Sequence, residues 1–354
     1  MKKAITIILA LLFLLLSLGG CGRSDAPEPS PAAESAAPGA PESEAAFPLL
    51  SAPFSAEETE AMINHNARRR ALLLETRYVC AARCRDGSRA LLRYEVIDGG
   101  LHERAFLLGD CEAECLCADG ERLYFLGRDG RVESIRLDGG EHRVEWETPC
   151  LHLQLFDGAL CALTEDGALV RLGDGETLLD GCADAFLCSQ GLFYTARADG
   201  RAHLRRSGTR EDVTLTAERA EQLTLVGTTL YYAAPTADGL RQLCALDLAS
   251  GARYRQSAAV AGFEIVSRPD GSWVLRLTGA EGEAGQRVLP LERAFDEPLG
   301  GERSDGGRLY RCCALDDLLR TELILSPQGE ELGLALALPD GRQLSLLAEN
   351  NPPK

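Results

Sequence analysis

The segment Arg122-Leu123-Tyr124-Phe125-Leu126-Gly127-Arg128-Asp129-Gly130-Arg131-Val132-Glu133-Ser134-Ile135-Arg136-Leu137-Asp138-Gly139 reads as two short strands joined by a tight turn. Leu123, Tyr124, Phe125 and Leu126 are branched or aromatic strand formers, and Asp129-Gly130 supplies the positive φ that a two-residue hairpin requires. Val132, Ile135 and Leu137 fall on the return strand, after which Asp138-Gly139-Gly140 turns the chain again. The unit repeats. Its leading pair reappears as Leu160-Cys161, Leu192-Phe193, Leu230-Tyr231, Trp273-Val274 and Leu309-Tyr310, with first positions 37, 32, 38, 43 and 36 residues apart. The turn reappears as Asp86-Gly87, Asp166-Gly167, Asp199-Gly200 and Asp238-Gly239.

A second pattern keeps the same period. Cys111 is followed six residues later by Cys117, Cys150 by Phe156, Cys182 by Cys188, Ala220 by Val226 and Val260 by Val266. The starts lie 39, 32, 38 and 40 residues apart. Short strands at this period, without a long helical one, predict propeller blades rather than a helical solenoid. Dividing residues 55–350 by about 40 residues per blade gives about seven blades, and six or eight also fit. The expected fold is all-β, a β-propeller over residues 77–350, with a first blade around Asp86-Gly87. The hairpin around Asp340-Gly341 is expected to pair with N-terminal strands and close the ring, leaving few exposed edges.

Two families share parts of this repeat. Leu123-Tyr124 with Ile135-Arg136-Leu137-Asp138-Gly139 resembles the YWTD repeat of low-density-lipoprotein-receptor-type propellers, without its Trp-Thr-Asp portion. Asp238-Gly239 through Leu243-Cys244-Ala245-Leu246-Asp247-Leu248-Ala249-Ser250-Gly251 resembles a quinoprotein-type propeller repeat, as in outer-membrane assembly lipoproteins, without the Trp that docks neighbouring blades. Both resemblances imply the propeller fold rather than a function.

The N-terminus carries an address. Met1-Lys2-Lys3 is a basic n-region, and Ala4 to Leu18 is an apolar run broken only by Thr6 and Ser17, short for a membrane span but suited to an export signal. It ends in Leu18-Gly19-Gly20-Cys21, which resembles the lipobox of bacterial lipoproteins. The resemblance implies cleavage between Gly20 and Cys21 and a diacylglycerol on Cys21. Two acyl chains give stable anchoring where one is marginal. Residues 1–20 are thus expected to be a signal peptide and 21–46 a lipidated, disordered linker of Pro, Ala, Ser and Glu. Residues 47–76 are expected to form a helical lead-in. Within it Ser55-Ala56-Glu57-Glu58 has the form of a capping box, predicting a helix over roughly 55–70 that ends in a solvated Arg68-Arg69-Arg70.

Charge narrows the partners. The chain carries −17, and loss of the first 20 residues removes Lys2 and Lys3 but no acid, leaving −19. Nucleic acid and anionic lipid surfaces should repel such a body. Lys occurs only at 2, 3 and 354, so every basic residue of the folded body is Arg, scattered rather than clustered.

Candidate chemistry is sparse. The 13 cysteines of an exported chain suggest disulfides, but in the repeat register Cys111, Cys150, Cys182, Cys117 and Cys188 alternate with Ala220, Val260, Phe156 and Val226, as packing residues do. No zinc-finger spacing of Cys and His occurs, and turn or loop positions are expected for most of His65, His102, His142, His152 and His203. The Asp-Gly pairs lack the Asp-x-Asp-x-Asp-Gly pattern of a calcium loop, and no nucleophile elbow or P-loop is present. Neither a catalytic residue, a cofactor site nor a metal ligand is nominated; Cys21 with its lipid is the one modified site. The reading is a membrane-anchored extracytoplasmic propeller, a non-catalytic scaffold for envelope or surface proteins that binds no nucleic acid. Two alternatives stay open: a carbohydrate- or peptide-binding surface propeller, and a hydrolase or lyase with its site on blade-end loops.

Overall fold

Consecutive strands pair into antiparallel meanders, one after another along the chain. The computed structural model describes residues 46–345 except 75–76, 84–87, 98–99, 210, 268–271, 279–286, 296–307, 314–319, 326–330 and 338–342. The first sheet is β1 (Ala71–Leu74), β2 (Arg77–Arg83), β3 (Arg89–Ile97) and β4 (Gly100–Gly109), in that order. The second is β5 (Glu114–Ala118), β6 (Arg122–Leu126), β7 (Val132–Arg136) and β8 (Arg143–Trp146). The third is β9 (Cys150–Phe156), β10 (Ala159–Thr164), β11 (Leu169–Arg171) and β12 (Glu176–Leu179). The fourth is β13 (Cys182–Cys188), β14 (Gly191–Ala196), β15 (Ala202–Arg206) and β16 (Asp212–Thr214). The fifth is β17 (Glu221–Val226), β18 (Thr229–Pro235), β19 (Arg241–Asp247) and β20 (Arg253–Val260). Then β21 (Gly262–Ser267), β22 (Trp273–Thr278) and β23 (Arg287–Pro290) join β24 (Arg308–Cys313), β25 (Arg320–Leu325), β26 (Glu331–Ala337) and β27 (Gln343–Ser345) through one residue pair, Ser267 with Tyr310.

The apolar residues of the second to fifth sheets fall on both faces, and each face packs on a neighbouring sheet. On β6, Leu123 and Phe125 pack with Leu72, Val79 and Leu91 of the first sheet, while Leu126 packs with Cys150, Leu153 and Ala162 of the third. Cys161, Leu163 and Leu169 meet Cys182, Ala185 and Leu192 between the third and fourth sheets. Ala233 and Leu243 meet Phe263, Ile265 and Leu275 between the fifth and the next. At about 1.5–3 kcal/mol for burying each large apolar side chain, these stacked interfaces are the main favourable term holding the sheets together. Face-to-face four-stranded meanders in chain order are the architecture of β-propeller blades.

The expected Asp-Gly hairpin differs in detail. Between β6 and β7 the Gly127 N–H donates to the Arg131 carbonyl and the Gly130 N–H to the Gly127 carbonyl, so the loop has three residues with Gly130 in the left-handed position (φ +75°). Thr164 to Ala168 and Thr236 to Leu240 repeat both bonds. A three-residue loop places its glycine last, so an Asp-Gly pair alone does not distinguish it from a two-residue turn. Leu309-Tyr310 also departs from the pattern, since the other copies lie on second strands and this one lies on β24, paired with the first strand β21.

The same glycines face the next sheet. The N–H of Cys150 donates to the Gly130 carbonyl, that of Cys182 to Gly167 and that of Ala220 to Gly200, at 2.8, 2.9 and 2.8 Å. In these three copies the two sequence periods are thus the two ends of one bond between sheets, whereas the Cys111 N–H donates to the Arg89 carbonyl and Val260 ends β20.

Ahead of the sheets, α1 (Ala56–Asn66) begins with the expected capping box, its Ser55 and Glu58 side chains each accepting from the other's backbone N–H. It packs on β13, β17 and β24. Met62 enters the core between the fourth and fifth sheets, and Ile63 the one beyond the fifth. Three expectations for the lead-in are corrected. The helix stops at Asn66; the first sheet begins at Ala71, inside the span assigned to the lead-in; and Arg68 to Arg70 are no solvated helix end. Arg68 adopts φ +54°, and the carbonyls of Arg68 and Arg69 accept from Cys115 and Leu116 of β5. Residues 1–45, the Asp86-Gly87 turn and the Asp340-Gly341 turn lie outside the described residues. The strands on either side of the latter turn correct one expectation: β26 pairs with β25 and β27, and among the described residues neither β26 nor β27 pairs with an N-terminal strand.

Cys111, Cys115, Cys117, Cys150, Cys161, Cys182, Cys188 and Cys244 are buried and unbridged, as their interchange with Ala, Val and Phe suggested. Burial pushes Cys111, Cys117, Cys150 and Cys182 up to about 12. At pH 8 these four thiols should therefore resist iodoacetamide in the folded protein and react once it unfolds, as site-resolved mass spectrometry would read. Gly167→Ala should destabilise by about 1–3 kcal/mol in urea unfolding, because a Cβ there would lie 2.6 Å from the Cys182 carbonyl oxygen at φ +95°. Gly158→Ala, with positive φ but open space, should cost less.

Candidate functional site

The first strand of a sheet tends to break its ladder near its start. Register shifts interrupt β5 between Glu114 and Cys117, β13 between Cys182 and Asp184, and β17 between Glu221 and Thr224; β9 slips where it faces Leu163 and Thr164. Such bulges re-aim side chains. His152 and Asp184 each stand two residues beyond a repeat cysteine, Cys150 and Cys182, so they hold the same place on neighbouring first strands.

His65, on the last turn of α1, meets them. Its Nε2 lies 2.9 Å from Asp184 Oδ1, a hydrogen bond, and its ring stacks on that of His152 with centroids 4.0 Å apart and planes at 21°. His152 Nε2 lies 3.8 Å from the same carboxylate oxygen, too far for a hydrogen bond. His152 Nδ1 is buried without a hydrogen-bond partner. Burial first, then the nearby His65, pushes the His152 imidazole down to about 3, so it is neutral at pH 7. Burial alone would raise the Asp184 carboxyl, but the charge and hydrogen bond of His65 outweigh it and hold Asp184 below the usual carboxylate range. The site therefore combines a carboxylate, an imidazole hydrogen-bonded to it and a second, neutral imidazole.

Surrounding groups fix these elements. The Gln154 amide donates to the Leu187 carbonyl (2.6 Å) and accepts from the Leu187 N–H (3.0 Å), joining β9 to β13 as a strand would. Asn66 donates to the Leu223 carbonyl and the Thr224 hydroxyl, both at 2.9 Å. Glu114 receives Arg68 and Arg70, each at 2.6 Å. A cavity of about 250 Å³ lies against His65 and His152 between α1 and the first strands. A second, of about 370 Å³, lies against His152, Asp184, Arg197, Arg219 and Glu221, and reaches the surface at Ala183 and Gln222.

The sequence nominated no ligand or catalytic group, and this cluster went unnoticed because its members are 87 and 32 residues apart, outside any local motif. The repeat period contained the signal, since adding two residues to Cys150 and Cys182 names His152 and Asp184. The expectation that turns or loops hold most histidines is corrected: His65 is helical, His102, His152 and His203 are on strands, and only His142 lies in a loop. Cys21 and Gly20 lie outside the described residues.

No family model matches the chain, and no curated protein does. Among solved structures it is similar to BamB from Moraxella catarrhalis (15% identity, 77% of this chain and 93% of that one, TM-score 0.37). It is also similar to the N-terminal domain of Nup159 (12% identity, 73% and 86%, TM-score 0.45). A puromycin-hydrolyzing peptidase of Mycobacterium tuberculosis matches over 85% of this chain and 56% of its own, at 12% identity and a TM-score of 0.49.

Gln154→Ala removes both bonds between β9 and β13 and should destabilise the protein by about 1–3 kcal/mol in urea unfolding. Gln154→Glu, which keeps only the acceptor, should lose stability as well.

Proposed function

We propose that the chain is a lipid-anchored, extracytoplasmic β-propeller of seven blades that serves as a non-catalytic binding scaffold for envelope proteins. The blade count follows if the single Ser267–Tyr310 pair joins two blades, β21–β23 and β24–β27, beside five four-stranded ones. The observation that carries the scaffold reading is α1, which the chain places against its own first strands β13, β17 and β24. With those strands occupied from within, the outer strands and the loops at either end are the surfaces offered to partners. Exposed large apolar side chains are few, Ile97, Val144 and Tyr254 among the described residues, which favours polar, reversible contacts over an obligate interface. The anchor rests on the basic n-region, the apolar run and Leu18-Gly19-Gly20-Cys21. Among the described residues no helix is long and apolar enough to cross a membrane.

A second reading, a hydrolase or lyase, is favoured by the 370 Å³ cavity, onto which His152, Asp184, Arg197, Arg219 and Glu221 converge. Three of these are already engaged: Arg197 donates to the carbonyls of Cys182 and Glu165, Asp184 accepts from His65, and Glu221 accepts from Arg241. The scaffold reading is therefore preferred.

Cys21→Ser should move the protein from the membrane to the soluble extracytoplasmic fraction, and a variant that stays in salt-washed membranes would refute the anchor. In-cell cross-linking of the wild-type chain should capture defined envelope proteins; capture of none, with turnover of an ester or glycoside library that Asp184→Asn abolishes, would favour the enzyme.

A further inference from the structure

His65, His152 and Asp184 come from three elements, and their donor atoms lie within 4.8 Å of one another. All three are largely shielded, with side chains 6%, 18% and 28% exposed. The hydrogen bonds on the page explain only part of this arrangement. His65 is satisfied by Asp184, but His152 is buried with no hydrogen bond at Nδ1 and with Nε2 3.8 Å from the nearest carboxylate oxygen. An ion held by Nε2 would give this ring a partner on the Asp184 side, while Nδ1 would keep none.

The geometry suits one. Tetrahedral bonds of about 2.0–2.1 Å place donors about 3.3 Å apart. The two separations to Asp184 Oδ1, 2.9 Å from His65 and 3.8 Å from His152, lie on either side of that edge length. Both Nε2 atoms approach the same oxygen, so a small shift of either ring opens room for a cation among the three. Two imidazoles and one carboxylate form a donor set for a borderline cation such as Zn²⁺ rather than for Ca²⁺ or Mg²⁺, which take oxygen ligands. The outer contacts are partly in place: Asp184 Oδ1 also accepts from the Ala185 N–H at 2.8 Å, and Gln154 fixes β9 against β13. The charge of Arg68, just beyond α1, is offset by Glu114 at 2.6 Å. The 370 Å³ cavity gives an entry path to His152 and Asp184.

We propose that His65, His152 and Asp184 bind one Zn²⁺-like divalent cation, with three protein ligands and a fourth position open to the cavity. Bound there, the ion ties α1 to β9 and β13. This site is independent of the scaffold reading, because a propeller with or without a metal can present the same outer surface.

The test uses the full-length protein in detergent, reduced and stripped with chelator. Equilibrium dialysis against Zn²⁺ should give one ion per chain that His152→Phe and Asp184→Asn each weaken at least tenfold, while His142→Ala, at an exposed histidine paired with Glu133, binds as wild type. His152→Phe keeps a ring against His65, so its metal-free melting temperature should match wild type and separate lost binding from lost folding. Co²⁺ added in place of Zn²⁺ should give d–d bands without thiolate charge-transfer bands, which separates this site from the cysteines. No bound Zn²⁺, equal binding by His152→Phe, or a thiolate spectrum would overturn the proposal.

Discussion

The N–H at the head of an inner strand reaches across to the turn of the sheet before it, from Cys150 to Gly130, Cys182 to Gly167 and Ala220 to Gly200. Much else follows from this bond. It sets the height of the third, fourth and fifth sheets against the one before, so that their apolar faces meet. It also demands residues of two kinds. The turn must bring its backbone close to the next strand, which leaves no space for a side chain: a Cβ on Gly130 would lie 3.2 Å from the Cys150 oxygen, and one on Gly167 2.6 Å from the Cys182 oxygen. The residue receiving that turn must be small and apolar, because it is buried where two sheets converge.

This is why so much of the fold was legible. Glycine at one end of the bond and Cys or Ala at the other are backbone-driven requirements, and they recur in three copies however far the remaining residues drift. Leu123, Phe125 and Leu126 could likewise be assigned to packing from residue type alone, and all three are fully buried. The turn length is not legible, because an Asp-Gly pair serves both two- and three-residue loops, and only the hydrogen bonds Gly127–Arg131 and Gly130–Gly127 tell them apart. The fate of Arg68 to Arg70 was hidden for another reason. Their carbonyls pair with Cys115 and Leu116, and backbone pairing between segments so far apart leaves no mark on side-chain type.

The His65–His152–Asp184 cluster combines both cases. His152 and Asp184 were one step from visible, since they share a repeat position, but reading them as neighbours required knowing that this position faces inward on adjacent first strands. His65 could not be placed by any repeat, because α1 occurs once. Its capping box announced a helix and nothing announced where the helix would dock. The site therefore lies where a repeated framework meets an unrepeated insert, and only the framework half had a periodic signature.

That insert also constrains the order in which the molecule can be made. An 11-residue helix is marginal in water by itself, and the contacts that hold α1 lie 119 residues away at Asp184 and 157 and 158 residues away at Leu223 and Thr224. Each sheet can form from neighbouring strands, but α1 has to wait for the fourth and fifth sheets to exist. A helix made before every sheet is thus among the last elements to settle.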